Sequence, residues 1–139
     1  SKTPIECEIS DDILATLWDK FVLLATNSGL SCICRQPVGI IYNDPSLLDL
    51  AMTMMQEVKS LAIAQNIKID DDIIKKSVAW SKSAPDDLYA SMYHDLRKGR
   101  PLELAGMSGF VASLGEELEI ATPCHKTVFA CLKPYIDGS

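Results

Sequence analysis

The sequence is short of the features that would settle its class quickly. Aromatic residues make up only 6% of the chain, and no alternating apolar–polar pattern runs for more than a few residues. A half-buried sheet normally announces itself through that alternation, so a β-rich fold is not expected. No G-x-G-x-x-G follows a strand, and nothing reads as βαβ, so the chain has no dinucleotide-binding fingerprint of its own. Basic residues are outnumbered, 13 Lys and Arg against 19 Asp and Glu, for a formal charge of −6. The densest cationic cluster is Arg97, Lys98 and Arg100, and a nucleic-acid partner would need a far larger basic face. No apolar run is long enough to cross a bilayer. The first apolar stretch carries Asp11, Asp12, Asp19 and Lys20, which does not fit a secretory leader. Internal repeats and low-complexity tracts are also missing.

What is present reads as one domain of 139 residues, long enough to bury a single core. The five cysteines are an odd number in mostly apolar settings, which suits reduced thiols in the cytoplasm. Cys32-x-Cys34 with Cys124-His125 lacks the spacing of a zinc ribbon or finger, so no metal is expected. The chain opens on Ser1, as a processed or excised piece of a longer protein would.

Residues 1–9 read as an extended arm or linker, and residues 10–139 as a helical domain. Ser10 is placed to cap a long helix, in which Ile13, Leu14, Leu17, Trp18, Phe21, Val22, Leu24 and Ala25 recur at helical spacing. Lys20 lies in that apolar company, either snorkelling outward or held as a partly buried amine with a tunable pKa. The helix should weaken at Ser28-Gly29, and Gln36-Pro37-Val38-Gly39 is a break. Asp44-Pro45 starts a second long helix to about Gln65, with Met54 and Met55 as core filler and Glu57 as a helix-face charge. A third helix is predicted from Ile73 to about Ser81, with Trp80 packing inward. Ser91 to Gly99 forms another helix, ended by a left-handed glycine before Arg100-Pro101. Glu103 then falls in the first turn of a helix over residues 104–118, whose small residues permit close approach. Thr122-Pro123 opens the last helix, with His125 structural or on the surface. The architecture predicted is all-α, an irregular bundle of five or six helices.

Several of these pieces together resemble the C-terminal helical domain of the ketopantoate reductase (2-dehydropantoate 2-reductase) family, whose fold is shared with phosphogluconate dehydrogenase. They are Leu17-Trp18-Asp19-Lys20-Phe21; Arg35-Gln36-Pro37-Val38-Gly39; Glu57; Ser91-Met92-x-x-Asp95-Leu96-x-x-Gly99-Arg100-Pro101-x-Glu103; Gly109; and Thr122-Pro123-x-His125. The resemblance implies an NADPH-dependent oxidoreductase of pantothenate biosynthesis that reduces a small 2-oxo acid. Its cofactor would be held mainly by an N-terminal Rossmann domain absent from this chain, and the chain alone would be inert. Lys20 matches the family's proton-donating lysine. Ser91 matches its substrate-binding serine, and Glu103 the glutamate beside lysine and cofactor. Asparagines that touch substrate in well-described members fall at Leu24, Ser28 and Val38 here, which makes that wall more apolar and less suited to a polyhydroxy acid. Asn27 lies one residue out of phase. Two other readings remain: a family paralogue acting on a different 2-oxo acid or ketone, and a non-enzymatic module whose apolar helices pair in a homodimer.

Overall fold

A computed structural model describes residues 4–138, with side chains from residue 11 onward. Seven α-helices and one 3₁₀ turn (Lys133–Tyr135) make up the described residues, with no strand among them. The helices are α1 (Pro4–Cys34), α2 (Val38–Asn43), α3 (Pro45–Ala64), α4 (Ile73–Lys82), α5 (Ser91–Arg97), α6 (Ser108–Leu118) and α7 (Pro123–Leu132). The all-α bundle expected from the pattern is therefore present, with more and shorter helices in its second half. No described helix is long and apolar enough to cross a membrane.

α1 departs from expectation at both ends. It is already helical from Pro4, so residues 4–9 are not an extended arm and Ser10 is not a cap; residues 1–3 lie outside the described residues. At the other end it runs through Ser28-Gly29 without a break and stops only at Arg35, whose φ of 56° is left-handed. Glycine weakens a helix by roughly 1 kcal/mol against alanine, but at this position packing decides. A β-carbon on Gly29 would stand 2.8 Å from Val128 Cγ1 of α7. The missing side chain is what lets the two helices cross.

α3 follows its sequence signals closely. The Asp44 side chain accepts from the Leu47 N–H at 2.9 Å, with Pro45 at the first helical position. The helix ends at Ala64, and Asn66 just beyond it takes the left-handed region, with Ile67 N–H returning to the Ala62 carbonyl. Met54 and Met55 are fully buried, as expected of core filler, beside Val22, Leu30, Ile41 and Leu61.

Glu57 corrects its reading as a surface charge. It is buried and accepts from the backbone N–H of Cys124 (2.9 Å) and His125 (3.0 Å), capping the start of α7 from the side of α3. Thr122, the residue at the cap position, makes no side-chain cap bond. His125 is fully buried, with Nε2–H donating to the Met54 carbonyl and Nδ1 accepting from the Ser108 hydroxyl, both at 3.0 Å. Burial pushes its pKa down to about 4, so the ring is neutral.

Candidate active site

Two adjoining clefts lie along the outer side of α1. The first, about 440 Å³, is walled by Leu14, Leu17, Trp18, Phe21 and Phe110, with Lys20 and Gly106 on its edge. Its three rings pack edge-on, Trp18 to Phe21 at 5.7 Å and Phe21 to Phe110 at 5.6 Å between centroids. The second, about 160 Å³, lies between α1, the start of α2, the end of α4 and the start of α5. Leu24 borders both clefts, and the consecutive residues Gly106 and Met107 contribute one to each. The two clefts thus adjoin at Leu24.

This arrangement follows from local sequence. Lys20, Leu24 and Ser28 stand at successive i, i+4 steps on α1 and so share a face. Val38 opens α2 immediately after Pro37, which fixes the approach of that helix. Ser91 opens α5 after the extended Ala90. The far end of α5 closes in a complete Schellman motif. Gly99, at φ 70°, donates to the Leu96 carbonyl, and Arg100 N–H donates to the Asp95 carbonyl at 2.9 Å. The Arg100 guanidinium also stands 3.7 Å from the Asp95 carboxylate, a half-exposed pair. This turn sends the chain back to Glu103, whose side chain lies over Gly106.

The sequence-predicted residues fall as follows. Ser28, Val38 and Ser91 line the second cleft together, with Leu24 between it and the first. Ser28 and Val38 are buried, whereas Leu24 and Ser91 are exposed. Lys20 is exposed at the rim of the first cleft, so the described residues do not bury its amine. Glu103 lies in the turn before α6, not in the first turn of a helix, because α6 starts only at Ser108. Its carboxylate folds over Gly106, with Oε1 3.2 Å from the place of a β-carbon there. Among the described residues no ion pair joins Lys20 to Glu103.

Two aromatic residues were missed as parts of this surface. Trp80, expected to pack inward, is half exposed and lines the second cleft. Tyr89 lines it too, its ring stacked on Tyr93 at 4.2 Å. The sole sequence signal was that Trp80 falls near the end of a helix and Tyr89 in the loop after it, which is too weak to identify a wall. Asn27 does touch the second cleft, with its amide anchored in the core: one Nδ2–H donates to Ser81 Oγ and Oδ1 accepts from the Tyr42 hydroxyl.

Among the described residues no three His, Cys, Asp or Glu side chains gather as metal ligands. Burial pushes the Cys32 thiol up to about 12 and the Cys124 thiol up to about 11, so neither supplies a thiolate near neutral pH.

The family model described as ketopantoate reductase PanE/ApbA C terminal matches residues 12–136. The chain is 26% identical over 123 residues to a 2-dehydropantoate 2-reductase of Pyrobaculum aerophilum, covering 88% of this chain and 44% of that one. It is 25% identical over 130 residues to the uncharacterized oxidoreductase YkpB of Bacillus subtilis, covering 94% and 43%. Among solved structures, a PanE/ApbA family ketopantoate reductase from Ralstonia eutropha superposes with a TM-score of 0.83 at 24% identity, covering 91% of this chain and 42% of that one. The chain therefore spans a little over two-fifths of the length of these relatives.

Proposed function

We propose, since the chain belongs to the ketopantoate reductase C-terminal family, that it forms the substrate-closing part of a nicotinamide-dependent 2-oxo-acid reductase. The observation that carries this reading is that Lys20 and Ser91 line adjoining clefts, which share Leu24 and take one each of the consecutive residues Gly106 and Met107. The first cleft suits the flat, weakly polar end of a nicotinamide, with apolar walls and one cation at its edge. Its lining offers no cradle for phosphates, so a further, nucleotide-binding domain has to hold the rest of the cofactor, NADPH by the family's pattern.

When bound, the reduced cofactor supplies a hydride to the carbonyl carbon of the substrate. Lys20 then stabilises the charge developing on the carbonyl oxygen and delivers a proton to it, giving the 2-hydroxy acid, and the free amine recovers its proton from water. Glu103, folded over the Gly106 that lines this cleft, positions the ammonium once the second domain has closed. The Ser91 hydroxyl donates to the substrate from the other side of Leu24. The exposure of Lys20 is consistent with a second domain closing over it, which would exclude water where the charge develops.

The test is the longer protein, made with its upstream coding region and assayed for NADPH and NADH oxidation against ketopantoate and other 2-oxo acids. Lys20→Ala should lower kcat by about 10²–10⁴-fold, the usual range for one proton-transfer group. Unchanged turnover would remove Lys20 as donor, and no turnover of any 2-oxo acid would remove the reading itself.

A further inference from the structure

We infer that the second cleft selects 2-oxo acids whose substituent is a plain hydrocarbon group up to phenyl size. The inference rests on the reductase reading for the reaction and adds the substrate class. No Asp, Glu, Lys or Arg side chain lines this cleft. Its walls are largely carbon, from Leu24 and Val38 on one side to Trp80, Tyr89 and Met107 on the other. The one side-chain amide that reaches it, Asn27, is tied to the core by one N–H on Ser81 and its oxygen on Tyr42, which leaves it a single N–H to offer. A hydroxyl on the substituent would therefore lose water and gain little beyond Asn27, Ser28 or Ser91.

Size and shape point the same way. An apolar cavity of about 150 Å³ is enough to take up benzene, and this cleft measures about 160 Å³. Tyr89 is held in place by its stack on Tyr93, so the aromatic wall is preformed. Leu24 joins this cleft to the one bearing Lys20. A 2-oxo acid lying across Leu24 puts its carbonyl toward Lys20 and its substituent against Val38, Trp80 and Tyr89.

The experiment compares phenylglyoxylate, 2-oxoisocaproate and ketopantoate as substrates of the longer protein with its nicotinamide cofactor. In parallel, substrate binding without turnover is followed through tryptophan fluorescence. Trp80→Phe assigns the signal, since Trp18 lies in the other cleft. A hydroxyl in an apolar pocket costs up to about 10²-fold in kcat/KM, so the two hydrocarbon substrates should exceed ketopantoate by about 10–100-fold and perturb Trp80 at lower concentration. Leu24→Asn with Val38→Asn should shrink that ratio at least about tenfold. Equal or better turnover of ketopantoate, or a ratio unmoved in the double variant, overturns the inference while leaving the reductase reading in place. Failure to turn over any of the three, with no Trp80 response, overturns both.

Discussion

His125 shows how one residue can hold three helices at once. It belongs to α7, donates to the Met54 carbonyl of α3, and accepts from Ser108 at the start of α6. Because burial holds its pKa at about 4, against an ordinary 6.5 in the unfolded chain, only the unfolded chain takes up the proton between those values. Stability should be fully retained above pH about 6.5, decline as pH falls through the interval, and level off below about 4. At about 1.4 kcal/mol per pH unit the full loss is about 3 kcal/mol. Urea melts at pH 7 and at pH 4 would measure it, and His125→Gln should flatten the slope while lowering stability throughout. The motif containing His125 was legible as a start signal for a helix. That the imidazole is buried and doubly bonded was not, because its partners are 17 and 71 residues away in sequence. Lys20 is the opposite case. Its family match marks it, but its geometry in this chain is an ordinary exposed amine, and a partner closing on this face would change its surroundings.

At the scale of elements, α7 depends on a cap that it does not contain. Pro123 lacks an N–H to offer, and the next two N–H groups are satisfied by Glu57 from α3. Glu57→Ala should cost about 2–4 kcal/mol, because two buried donors then face no acceptor and a charge-assisted pair of bonds is lost. Glu57→Gln keeps one acceptor and should cost less. It should also ease the Cys124 thiol downward, since the carboxylate reinforces the effect of burial there. Thermal melts together with the rate of Cys124 alkylation as a function of pH separate the two effects. At α5 the controlling position is Gly99, whose left-handed φ of 70° closes the Schellman turn. Gly99→Ala should destabilise by about 1–2 kcal/mol and loosen the return of the chain toward Glu103. These elements also show why sequence reading worked unevenly. α3 begins on Asp44-Pro45 and stops just before the left-handed Asn66, and α4 keeps close to its predicted span, so the bounds of both were readable to within a residue or two. α1 and α6 are set by contacts instead. Gly29 stays helical because α7 crosses there, and α6 starts late because residues 101–107 spend themselves on turns around the cleft.

At the scale of the whole molecule, the described residues leave an apolar face uncovered. Ile13, Leu14, Leu17, Leu24 and Phe110 are each more than 40% exposed, and four of the five line the Lys20 cleft. A folded chain does not gather so many large apolar groups on one side unless something covers them, and a net charge of −6 does nothing to hide them. The same face is where a nicotinamide-holding domain would have to close for Lys20 to meet a carbonyl, so one surface answers both needs. Leu17, 54% exposed and making up part of that face, is the place to test it. Leu17→Asp should leave the melting of this chain within about 0.5 kcal/mol, as expected for a surface change. It should also reduce any self-association at high concentration, read by sedimentation. In the longer protein the same substitution should raise the KM for the cofactor and lower kcat together, because a poorly seated second domain costs both cofactor affinity and closure. A variant that dissociates a dimer yet leaves both constants untouched would instead assign the face to a second copy of the chain, and would leave Lys20 without its covering domain.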